Sequence, residues 1–100
     1  MKFQANLLVL NKAGQEITSG ECFVSADEEI LAISPKLKEA LNISLRDIKS
    51  AAGADYKINI ELLSGEKIIL GGLGYQYEDF LKILIANLNK AFLKDMLVEE

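Results

Sequence analysis

Gln76-Tyr-Glu-Asp-Phe-Leu-Lys-Ile-Leu-Ile-Ala-Asn-Leu-Asn-Lys-Ala-Phe-Leu-Lys-Asp-Met-Leu-Val-Glu99 is the longest amphipathic segment of the chain, and the rest is organised around it. Tyr77, Phe80, Leu81, Leu84, Leu88, Ala91 and Phe92 recur at separations of three and four, which places them in one stripe along a helix. Glu78, Asp79, Lys82, Asn87, Asn89, Lys90 and Lys94 take the other side. A helix of this length with no helical partner must bury its stripe on a sheet or in the open end of a barrel. The spacing predicts a capping helix over residues 76–98, with Tyr77, Phe80, Leu81, Leu84 and Leu88 facing the strands.

Everything upstream reads as strands and turns. Tyr56-Lys-Ile-Asn-Ile-Glu-Leu62 alternates, with Tyr56, Ile58, Ile60 and Leu62 expected on the inner face. Ser64-Gly65 makes a tight turn, and Glu66–Leu70 returns as the partner strand, with Ile69 expected against the helix. Gly71-Gly-Leu-Gly74 then lets the backbone swing towards the helix.

At the other end of the chain, Phe3–Leu10 suits a strand entering a core, and Asn11–Gly14 a turn. Gln15–Ser25, interrupted by Gly20, is one bulged strand or two short ones. Glu29–Ile33 completes a hairpin that Ser34-Pro35 ends. Lys36–Leu41 can form a helical turn, and Asn42–Leu45 alternates as a strand. Arg46-Asp47-Ile48 and the small residues Ser50–Gly53 are expected to bend into a connection. Lysines at exposed strand positions discourage edge-to-edge pairing. The order is α+β or mainly β, with about six or seven antiparallel strands over residues 2–71 and one terminal helix.

Composition narrows the function classes. One hundred residues, half of them hydrophobic, make one domain with a core that needs no disulfide or metal. A net charge of −4 argues against nucleic acid and against an anionic membrane surface. No apolar run approaches the roughly 20 residues that span a bilayer, and no basic stretch leads into an apolar one at the N-terminus. The expected setting is cytoplasmic. Cys22, the single cysteine, reads as a small half-buried strand residue.

Residue chemistry points away from catalysis. With no histidine and one cysteine, His-based triads, Cys–His pairs and ordinary zinc sites are excluded. No serine lies in a nucleophile-elbow motif. Gly72-Leu-Gly74 lacks the third glycine and the following parallel strand of a dinucleotide site, so it reads as a connector. Asp27-Glu-Glu29 lacks the spaced oxygen ligands of a calcium loop and reads as a solvated hairpin tip. No catalytic, cofactor or metal residue is expected.

Two features are left as candidate partner contacts. Arg46, the only arginine, suits a surface ion pair or an acidic partner. On the helix, Ile83, Ile85, Leu93, Met96, Leu97 and Val98 widen the apolar surface beyond what one sheet can bury. Ile85, Leu93, Met96 and Leu97 are therefore the expected docking residues, for a second copy or for another protein. The helix meets no glycine or proline stop before Glu100, which points to a chain that continues.

Leu45-Arg-Asp-Ile48, the hairpin Tyr56–Leu70 turning on Ser-Gly-Glu, Gly-Leu-Gly, and Tyr-Glu-Asp-Phe before a long helix together resemble bacterial pleckstrin-homology-like (PH-like) domains, many of them uncharacterised. The resemblance spans the strand order and is tightest over residues 42–93. It implies a bent sheet of seven strands capped by one C-terminal helix, and a non-enzymatic binding or assembly module. Several such domains open longer proteins. Lipid-binding relatives carry several basic residues around the first inter-strand loop; here Leu10–Gln15 offers only Lys12, which argues against phosphoinositides. The alternatives are a phospholipid or membrane-surface adaptor, and a small-ligand domain or minor enzyme using the open end of the sheet.

Overall fold

In this computed structural model the described residues are 2–36 and 39–98, with side chains in the terminal helix described as far as Ala91. The chain runs β1 (Phe3–Leu10), β2 (Glu16–Ala26), β3 (Ile30–Pro35), β4 (Leu41–Ser44), β5 (Ile48–Ala54), β6 (Lys57–Leu62), β7 (Lys67–Gly71) and α1 (Tyr77–Val98). The seven strands form one antiparallel sheet in the order β4-β3-β2-β1-β7-β6-β5. Each meander joins sequence neighbours, and one long-range pairing, Asn6–Leu10 against Lys67–Gly71, fuses the two. The sheet curls into a half-barrel closed by α1, as the helix stripe and the strand count predict.

Alternation builds the core. Phe3, Ala5, Leu7 and Val9 of β1 are buried, as are Cys22 and Val24, Leu31 and Ile33, Ile58 and Ile60, Ile68 and Leu70. Phe80, Leu84, Leu88 and Ala91 close it from the helix, and the Phe80 ring meets Phe3 at 5.2 Å. Every buried residue among those described is apolar. Each large aliphatic side chain removed from water here stabilises the fold by about 1.5–3 kcal/mol before entropy is charged against it.

Several expectations need correcting. Glu16–Ala26 is one bulged strand, the first of the two readings, and its bulge falls at Ile17, between the pairs Leu10/Glu16 and Val9/Thr18. Pro35 belongs to β3, opposite Cys22. Lys36 N–H donates to Glu21 O at 3.2 Å, so Cys22/Pro35 is a non-hydrogen-bonded pair. The N–H that proline lacks would face outward beyond the end of β4, and it breaks no ladder. The helical turn expected over 36–41 falls partly on residues 37–38, outside the described residues, and Leu41 is strand. Leu45 leaves the strand for a 3-10 turn, Leu45–Asp47, capped by Ser44.

On the second meander, Ser50–Gly53, expected as a connection after the bend Arg46–Ile48, belongs to strand β5. Tyr56 lies outside the alternation, in the β5–β6 turn at φ 59°, and is 72% exposed. Ile69 is on the outer face, opposite Leu8; Ile68 and Leu70 take the inward places. The α-helix proper starts at Tyr77 after a 3-10 turn, Gly74–Gln76, entered through positive φ at Gly72 and Gly74.

Candidate functional site

The residues singled out from sequence lie in different settings. Arg46 is exposed on the Leu45–Asp47 turn and borders, with Glu28, Glu29, Ser44, Leu45 and Ala91, a groove of ≈330 Å³. Arg46 faces the carboxylates of Glu28 and Glu29 in this lining, so charges of both signs meet there, and Lys90 reaches Glu28 at 3.6 Å. Ile85 is half-buried and packs against the core on the flank of α1. Leu93, Met96 and Leu97 have side chains outside the described residues.

Titratable groups keep ordinary structural roles. Asp27 caps the β2–β3 tip: its carboxylate accepts from the N–H groups of Glu29 and Ile30, both at 2.8 Å. Those donors hold the carboxyl below its usual range. A hydrogen bond from Lys36, with its charge, lowers Glu21 in the same way. Cys22 is fully buried, more than its sequence suggested, and desolvation pushes its thiol up. Among the described residues no cluster of three or more Cys, Asp or Glu side chains is placed to hold a metal ion. Among them, too, no helix is long and apolar enough to cross a membrane.

Two surfaces carry what a partner can recognise. The first is aromatic. Tyr56 and Tyr77 stack as a tilted pair with centroids 5.4 Å apart, where the β5–β6 turn meets the start of α1. Tyr75, two residues before Tyr77, is 98% exposed. Tyrosine offers rigid, amphipathic contact area at small entropic cost. Both Asp55 and Tyr56 have positive φ, at 52° and 59°. That conformation is strained for a bulky residue, and here it presents the Tyr56 ring outward.

The second is the β5 edge. β4 and β5 are the two ends of the sheet. Leu62 N–H donates to Glu66 O at 2.9 Å. By alternation, Ile58, Ile60 and Leu62 direct their backbone groups to β7, and Lys57, Asn59 and Glu61 theirs to β5. Their partners on β5 are Ala54, Ala52 and Ser50. The N–H and C=O of Ala51 and Gly53 therefore point to the free edge. Ser50, Ala52, Gly53 and Ala54 are all exposed.

The lysines do not guard this edge as expected. Lys57 and Lys67 lie on the interior strands β6 and β7. Lys49 is on β5 but sits at the bulge between Ile48 and Ser50 and turns towards Glu61, 3.3 Å away. In the first loop, Lys12 lies over the β6–β7 turn, where a Cβ on Gly65 would meet its Cγ at 2.9 Å. Sequence reading missed β5 because Ser-Ala-Ala-Gly-Ala has little β propensity of its own; only its pairing with β6 makes it a strand.

No protein-family profile and no curated protein matches the chain. Among solved structures it is similar to the N-terminal PH domain of the human ARAP2 protein, with a TM-score of 0.61 at 18% identity. The match covers 87% of this chain and 78% of that one. The fold is PH-like; at this identity the likeness speaks for architecture alone.

Proposed function

We infer that this PH-like domain is a non-enzymatic, cytoplasmic module that binds protein. PH-like folds commonly bind proteins or lipids. The carrying observation is the division of apolar residues. The interior is filled by apolar side chains, yet Tyr75, Tyr56, Leu63 and Ile17 stand 98%, 72%, 65% and 51% exposed. Large side chains held in water, here at turns (Tyr75, Tyr56, Leu63) and at the β2 bulge (Ile17), are what protein contacts use as anchors. Arg46 in its mixed-charge groove, the Ile85 flank and the distal helix residues Leu93, Met96 and Leu97 extend the candidate surface.

The test is capture on the immobilised domain, run beside light scattering of the free domain and co-sedimentation with vesicles containing phosphoinositides. A protein retained in stoichiometric amount, or self-association, supports the reading. Vesicle binding without either would overturn it in favour of a lipid adaptor.

A further inference from the structure

We propose that the free edge of β5 pairs with β5 of a second copy, joining two half-barrels into one continuous antiparallel sheet. This rests on the protein-binding reading and names its partner and surface. Natural sheets blunt their edges by shortness, proline, lysine or bulges. β4 is short, at four residues. β5 has its bulge and its only lysine at the Ile48–Ser50 end, and the run Ser50–Ala54 beyond them carries no such device of its own, the start of α1 reaching it only on the inner face at Gly53. That regular run has Ala52 at its centre.

A two-fold axis at Ala52, normal to the sheet, is the register the residues fit. It sets Ala51 opposite Gly53 of the second copy and Gly53 opposite Ala51. These are the residues whose backbone groups face the free edge, so both pairs are of the hydrogen-bonded kind. The axis also preserves face: outward Ser50 meets outward Ala54, and Ala52 meets Ala52, with no strand side chain larger than serine at the seam, while Tyr77 and Leu81 lie over Gly53 on the inner face. Beyond the regular run, Lys49 at the bulge and Asp55 in the turn bring opposite charges to each end of the seam, twice by symmetry. An isologous contact of this kind closes at two copies and leaves the β4 edges remote from each other. A foreign strand would fill the same hydrogen bonds, but the small, palindrome-like run and the paired end charges match a second copy.

The experiment is light scattering over a concentration series for the parent domain, Ala52→Lys, Ala52→Glu and an equal mixture of the two variants. Ala52 is exposed on the outer face, so neither substitution reaches the core, and unchanged melting of the variants at low concentration checks this. The expected result is a parent mass of twice 11.0 kDa, both variants at the single-chain mass, and the doubled mass restored in the mixture. In the non-hydrogen-bonded pair at the axis the two substituted side chains are in contact, so like charges separate the copies and opposite charges rejoin them. A dimeric parent whose mass survives both substitutions overturns the β5 seam. A parent that stays at the single-chain mass overturns self-pairing: if the immobilised domain still captures a protein, the protein-binding reading stands alone, and if it captures nothing, both fall.

Discussion

Tyr77 lies across Gly53 so closely that a methyl group at position 53 would collide with the Tyr77 hydroxyl, and would meet Leu81 Cδ2 at 2.7 Å. The first turns of α1 are thus seated on β5 by the absence of a side chain. The same contact fixes the aromatic surface, since Tyr77 carries its ring against Tyr56.

Gly53→Ala should therefore destabilise the domain. The colliding atoms are the ends of side chains that can yield, so the expected loss is about 1 kcal/mol, at the low end of overpacking costs. Tyr77→Phe removes the hydroxyl in the way, and the cost of Gly53→Ala should shrink in that background. Denaturant midpoints of the four proteins in the cycle measure the coupling; equal costs in both backgrounds would refute the contact as the cause.

Leu84 is fully buried at the centre of the helix stripe. Leu84→Ala should cost about 2–5 kcal/mol, through lost transfer energy and the cavity left behind. Leu84→Asp should leave no cooperative unfolding transition at room temperature. Thermal melts by circular dichroism decide this, and a folded Leu84→Asp domain would contradict the packing described.

Asp27 links stability to acid. Its folded-state value is depressed by the N–H donors of Glu29 and Ile30. Its contribution is thus complete above the ordinary carboxylate value of 3.8 and is lost as pH falls through the lower folded one. Asp27→Asn can keep an oxygen acceptor but cannot titrate, so the variant's melting temperature should fall less steeply below that value than the parent's. Parallel curves over the acid range would remove Asp27 from the account.

Cys22 should be inert in the folded domain. It is 1% exposed, and its thiolate is disfavoured by desolvation. A thiol-specific chromogenic reagent should label it at the rate of unfolding in native buffer and at once in denaturant. Rapid native labelling would show the strand β2 open at that point.

Much of the architecture was legible beforehand, for a physical reason. Helical spacing in Phe80, Leu84, Leu88 and Ala91 admits one buried stripe, and alternation at Ile58 and Ile60 admits one buried face. The misreadings share a cause as well. In Ile68-Ile69-Leu70 three apolar residues run together, and alternation cannot say which of them turns inward until register with β1 is known. Tyr56 continued a pattern that the chain leaves at a positive-φ turn.

The candidate surface was the least legible part. Ile85 was named for its place on the helix, and the structure sets it against the core flank; Arg46 was named for its charge, and the structure sets it beside Glu28 and Glu29.

The α+β order, the faces of the clearest strands and the helix that closes the barrel follow from local periodicity and the need to bury apolar area. That Ser50–Ala54 is a strand, that it stands at the sheet's end, and that Ala51 and Gly53 turn their backbone groups to its edge depend on long-range pairing. A run of small residues has no local preference strong enough to announce itself. Its conformation comes from the ladder on β6, and its openness from a pairing order that joins β1 to β7 across some sixty residues of chain.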